Sequence, residues 1–280
     1  ALDSIATAAL TGDIARIIHP ALIRYDGDGP PCHQWSTTNQ ILVALAGTDD
    51  ARGFEQWRAA GRHVTKGAKA FHILVPLLIG GTKEQRSSYR TTDTRAPVSP
   101  VSDDTQPRTW FKPAPVFAIE ATTGAPVTYT TRPAPPLADV AAVWNVTIHH
   151  TPQPRGATHN GLLEIINHEP TRIVCHTEHV ATFFHELSHL AHDKLLRLRD
   201  ETTLSLVYAS RPGFYECVAE LSAYALTDLY DPAGATTRRD YSAAYVKAYA
   251  KDPRVIREAV TEAAEVARLI IDTHEQRTRA

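Results

Sequence analysis

The residues best placed to do chemistry are His185, Glu186 and His189, which spell HExxH inside the apolar run from Val180 to His192. On an α-helix a four-residue spacing brings both imidazoles to one face about one turn apart, where they can grip a single zinc ion with Glu186 beside the water that completes its coordination. Chance ordering of this composition would produce the word in roughly 3% of chains, and the helical pattern around it lowers that further. A zinc site of this kind takes three protein ligands and leaves the fourth position to water, so one more ligand must come from elsewhere. The run Gly213 to Leu226 reads as a second helix and carries Glu216 and Glu220 one turn apart among apolar neighbours. A glutamate pair on a helix is ordinarily a solvated stripe. Following closely on HExxH, with neighbours that would bury it, this pair instead offers Glu216 as the third ligand. Glu220 is then the outer partner that hydrogen-bonds and orients a liganding histidine.

Two histidines and a glutamate make the gluzincin set of a zinc metallopeptidase. A metzincin would want Gly at 192 and His at 195, and the chain has His192 and Leu195. His192, two turns beyond His185, is expected at the helix end or as an outer partner, not as a ligand. His176 and His179 precede the helix as cap or surface residues. Peptide hydrolysis also needs a donor for the tetrahedral oxyanion. Tyr208 and Tyr215 are the tyrosines nearest the ligand helix, and the sequence selects neither.

The rest of the chain bounds what can position these residues. With 280 residues, 43% of them hydrophobic, it can bury a full core and is long enough for two domains. It has no apolar stretch long enough to span a membrane, and its first residues lack the basic segment and long apolar core of an export signal, which sets the expectation of a cytoplasmic protein with no membrane partner. Cys32, Cys175 and Cys217 are scattered, so neither a disulfide framework nor a thiolate zinc site is indicated. A net charge of −2 argues against a broadly basic nucleic-acid binder. Locally, however, Arg52, Arg58, Arg62, Lys66 and Lys69 are opposed only by Glu55, with Trp57 among them. That pattern suits either an ordinary solvated helix and turn, or a patch that tracks a phosphate backbone and stacks a base.

The expected fold class is α+β. Residues 1–130 form the first domain: helix through residue 18 and again from Thr37 to Ala46, a short helix from Gly53 to Ala60 stopped by Gly61, and strands at Ala70–Leu78 and Pro115–Ile119. Between those strands a polar loop runs over 80–108, long enough to suggest a functional or mobile segment. A Pro-rich linker over 131–138 leads to a second domain, 139–280, holding the metal helices. There, a helix-to-strand passage from Leu137 to His149 precedes a hairpin of Gly161–Asn167 and Thr171–Cys175. A C-terminal helix starts at Asp252-Pro253, Asp as N-cap and Pro at the first helical position, and runs to about His274. A small sheet before an HExxH helix suits a peptidase, because a strand edge can hold a substrate backbone extended.

Taken together, three runs resemble the N-terminal domain of ArdC-type antirestriction proteins: Trp35 to Leu42, Arg52 to Trp57 and Gly61 to Pro76. In that family a single-stranded-DNA-binding domain is followed by a zincin-like domain. The same order holds here, with His185, Glu186 and His189 matching the HExxH and Glu216 to Glu220 matching the family's acidic helix. The resemblance covers nearly the whole chain; the polar insertion after Gly80 and the residues around Ala157 to Asn160 depart from it. It implies single-stranded DNA as a ligand of the Arg52 to Lys69 patch, including Trp57, Arg62 and Lys66. It adds Trp35 and Asn39 as DNA contacts, although these could equally be a core anchor and a helix-start residue.

The resulting expectation is a zinc-dependent metalloendopeptidase acting on a protein or peptide and coupled to single-stranded DNA. Its rivals are a non-enzymatic antirestriction protein that shields DNA and uses its zinc domain structurally, and a repressor-cleaving peptidase of the ImmA type. The latter shares HExxH and a downstream Glu but lacks the Trp57 to Lys69 motif.

Overall fold

The computed structural model describes residues 2–79, 108–131, 137, 139–157, 159–199, 202–249 and 252–279. The chain divides into two compact units, residues 25–131 and residues 1–24 with 132–280. This corrects the expected domain 1–130 at its start. Helices α1 (Leu2–Thr11) and α2 (Ile14–Leu22) belong with the C-terminal part of the chain, because the apolar face of α2, with Ile14, Ile17, Ile18 and Leu22 buried, has its packing partners there. Gly12, at φ 78°, divides what reads as one helix into two.

In the unit 25–131, Tyr25 and Thr131 pair where the chain enters and leaves. Helix α3 (Thr37–Leu45) is capped by the Ser36 side chain. Then come β1 (Ala51–Arg52), α4 (Phe54–Ala59), β2 (Arg62–Val64), β3 (Phe71–Ile79), β4 (Arg108–Ala118) and β5 (Thr122–Gly124). Two antiparallel sheets result, ordered β1-β4-β3 and β2-β5. The expected polar loop lies outside the described residues as far as 107, and Arg108 opens β4. Both backbone polar groups of Leu74 bond the Asn39 side chain at 2.8 Å, so Leu74 and its partner Pro113 form a non-hydrogen-bonded pair. By the same alternation Pro115 and Pro76 fall where the ladder needs no N–H, which is how a proline-rich hairpin stays paired.

This packing corrects much of the expected DNA surface. Asn39 is buried, its amide spent on Leu74. Trp57 is fully buried and its indole N–H donates to the Phe117 carbonyl at 2.9 Å, so it cannot stack a base. Trp35 is half-buried against a core of Cys32, Val43, Ala51, Ile73 and Val116. The Arg52 guanidinium is bound to the buried Asp50 at 2.8 and 3.1 Å and lies 4.6 Å over the Trp57 ring. Arg62 spends its donors on Thr122 and on carbonyls of the β5 end, tying β2 to β5. Lys66 and Lys69 are exposed. Truncating Trp57 to Ala should therefore destabilise the protein by about 3–5 kcal/mol in a urea titration. A Trp57→Ala protein of parent stability would return the residue to the surface.

The other unit continues with α5 (Val140–Val143), β6 (Thr147–His150), β7 (Gly161–Ile166), β8 (Glu169–Cys175), α6 (Val180–Leu198), α7 (Leu204–Val207), α8 (Pro212–Tyr230), α9 (Pro232–Tyr249) and α10 (Pro253–Arg279). Of the Pro-rich linker, Thr131 and Leu137 fall within the described residues. The sheet order is β6-β8-β7, with β6 parallel and β7 antiparallel to the central β8, which leaves β7 at an edge. Asn167 and His168, both at positive φ, form the two-residue turn whose twist suits a tight hairpin. Asp252 accepts the Arg254 N–H at 2.8 Å, the expected cap of α10. Helix α6 packs against α8, α10, β7 and β8, so it is buried on nearly every side. Among the described residues no helix is long and apolar enough to cross a membrane.

Candidate metal centre

A buried helix must find partners for its polar side chains, and those of α6 fall into two groups by where they find them. Ser188 donates to the Phe184 carbonyl at 2.7 Å. Asp193 accepts the Leu204 N–H at 2.9 Å and Arg197 at 2.7 Å. His192 faces Glu262 of α10 at 3.2 Å, away from HExxH and six residues short of the helix end, which sets aside both roles expected for it. His185, Glu186 and His189 remain, turned into a cleft of about 870 Å³.

Helix α8 brings Glu216 to the two imidazoles. Glu216 Oε2 lies 3.5 Å from His185 Nε2 and Oε1 lies 3.4 Å from His189 Nε2, and one ligand atom from each of the three residues falls within 4.8 Å of the others. Two ligands of a tetrahedral zinc at about 2.0–2.1 Å stand roughly 3.4 Å apart, which the two histidine–glutamate distances match, and nitrogen and carboxylate donors suit that ion. Glu220, one turn along, is 1% exposed and lies 3.4 Å from His185 Nδ1, the nitrogen that faces away from Glu216. It is held in turn by Ser242 at 2.5 Å and Arg238 at 3.1 and 3.3 Å. Tyr208 and Tyr245 donate to Glu216 at 2.5 and 2.6 Å. Tyr215 instead is buried and stacked on Tyr208, with ring centroids 6.0 Å apart. Tyr245, Ser242 and Arg238 all escaped the sequence reading; only their shared helical face marks them, and no motif says which way that face points.

The cleft separates its carboxylates electrostatically. Burial raises the Glu216 pKa, but hydrogen bonds with His185, His189 and Tyr208 outweigh it and hold the group far below the usual range. Glu220 is also lowered, His185 and Arg238 outweighing burial. Burial would pull His185 down, yet Glu216, Glu220 and Glu186 push it up to about 10. Glu186 goes the other way: burial raises its pKa in spite of the two histidines, making it the carboxylate that most readily takes a proton. A Cβ added to Gly161, the first residue of β7, would sit 3.0 Å from Glu186, so the edge strand passes directly beside that carboxylate.

Fold and site together define a two-unit protein of helices and small sheets with a His2Glu candidate metal centre. The architecture has a solved counterpart. The chain is similar to the metal-free crystal structure of the antirestriction protein ArdC from the R388 plasmid, with a TM-score of 0.56 and 17% identity over 98% of each chain. A second, Mn(II)-bound crystal structure of that protein aligns over 84% of this chain and 82% of that one, with 17% identity and a TM-score of 0.45. No protein-family model and no curated protein matches the chain.

Proposed function

We propose that the chain is a zinc metallopeptidase of the gluzincin type, related to the ArdC antirestriction proteins, in which His185, His189 and Glu216 hold the metal and Glu186 moves the proton. The observation that carries this reading is the convergence of those three ligand atoms within 4.8 Å, with Glu186 lining the same cleft beside the β7 edge. Zinc in such a set supplies an acidified water and a Lewis acid for a scissile carbonyl. Glu186 accepts the proton lost as water adds to the carbonyl carbon and returns it to the amine nitrogen as the C–N bond breaks. An extended polypeptide laid against β7 would bring its backbone to this carboxylate, while Leu162, Leu163 and Leu204 offer its side chains apolar wall.

For the unit 25–131 the proposed ligand is single-stranded DNA. The ArdC resemblance supports it, as do the exposed Lys66 and Lys69 and the aromatics Trp110 and Phe111, which are 58% and 62% exposed. Zinc-loaded protein should hydrolyse an unfolded polypeptide, stop when the metal is chelated and resume when zinc is restored. Lys66→Ala with Lys69→Ala should weaken single-strand binding alike for all sequences and flatten the salt dependence by about 0.7 per lost phosphate contact, with DNA-free hydrolysis unchanged. Tight DNA binding by a zinc-loaded protein that cleaves nothing would favour the shielding alternative.

A further inference from the structure

Among the described residues, the groups that fix the carboxylates of the metal centre come largely from one helix that contributes no ligand. Arg238, Ser242 and Tyr245 follow one another on α9 at intervals of four and three, which places them on a single face. Ser242 and Arg238 both grip Glu220, and Tyr245 donates to Glu216 Oε2. Two lines therefore run from α9 toward the metal position. One passes through Glu216 itself. The other passes through Glu220 to His185 Nδ1, the nitrogen whose partner decides which way the ring turns and which tautomer it holds. Tyr208, from the turn before α8, takes the opposite oxygen of Glu216, so that carboxylate is held from both sides.

This clamp differs from ordinary helix packing in what it holds. Glu220 is almost fully buried, and a buried carboxylate persists only when charge and hydrogen bonds compensate it, as Arg238 and Ser242 do here. A glutamate free to rotate would lose that freedom on binding metal, whereas Glu216 loses it on folding. Resting on the assignment of His185, His189 and Glu216 as zinc ligands, we propose that the Arg238–Ser242–Tyr245 face of α9 is the positioning layer of the metal centre. It sets zinc affinity by holding Glu216 and, through Glu220, His185 in their liganding orientations.

The test is the zinc affinity of the full chain, read by competition with a chromophoric chelator, beside thermal melts of the metal-free proteins. Ser242→Ala and Tyr245→Phe should each weaken zinc binding about 10- to 100-fold, the range for loss of an outer hydrogen bond to a ligand. Both should stay folded, Ser242→Ala melting only a few degrees below the parent because the buried Glu220 loses one of its hydrogen bonds. Ser242→Thr keeps the hydroxyl and should keep most of the affinity. Parent affinity in both Ser242→Ala and Tyr245→Phe would overturn the proposal and reduce α9 to a packing element. Tyr245→Phe that binds zinc like the parent but turns over slowly would assign the phenol to the substrate and overturn the positioning role for that residue. A parent chain that takes up no zinc would remove the metal reading itself, and the inference with it.

Discussion

Glu186→Gln is expected to retain one zinc per chain and to lose hydrolysis by about 10²- to 10⁴-fold, the usual worth of a positioned general base. The substitution keeps the side chain's shape, which matters because Gly161 of the edge strand leaves it little room. Glu186 supplies none of the three converging ligand atoms, so metal content should not change. What disappears is the acceptor, on the one carboxylate of the cleft that burial has made readier to take a proton. Metal content and turnover at saturating peptide should therefore part company. Undiminished hydrolysis by Glu186→Gln would end the mechanism, whatever became of the zinc.

The two glutamates of α8 should fail in different ways. Glu216→Ala removes a ligand and leaves Tyr208 and Tyr245 without their acceptor, so zinc affinity should fall by more than about 100-fold, beyond the range for an outer partner. Glu220→Ala should weaken zinc only about 10- to 100-fold. It should also cost stability, on the order of 3 kcal/mol or more, because Arg238 loses the buried charge it pairs with. Chelator competition and urea titration of the same two variants separate the effects. If Glu220→Ala loses the metal and Glu216→Ala keeps it, the ligating face of α8 has been taken one turn wrong.

The part of the molecule legible in advance is the part where residue type and spacing fix geometry locally. HExxH on a helix brings its own two imidazoles together, and Asp252-Pro253 starts its own helix. The hairpin was legible too, but not its turn, since Asn167, expected in the first strand, turns with His168 and β8 opens at Glu169. That Glu216 meets both histidines of HExxH while Glu220 meets only His185 follows from a one-turn offset on a helix that had to meet α6. Burial, by contrast, is a tertiary property. The spacing of Arg52, Trp57 and Arg62 is the same for a solvated patch and for a core tryptophan flanked by engaged arginines, and the fold chose the second. The attachment of α1 and α2 to the far end of the chain left no local trace, since an apolar face states that it needs a partner but not which one. Helix α9 carries no local signal for a related reason: Ser242 and Tyr245 stand among alanines and charges in no motif, and their role shows only when the elements carrying Glu216 and Glu220 are seen against them.

The proposed function stands or falls with a single zinc held by His185, His189 and Glu216. The most direct measurement is an anomalous difference map at the zinc edge from crystals of the zinc-loaded chain and of His185→Ala grown alike. One peak per chain is expected between those three side chains, within about 2.0–2.2 Å of each ligand atom, and it should be lost in His185→Ala. A peak elsewhere on the molecule, or an undiminished peak in His185→Ala, would contradict it.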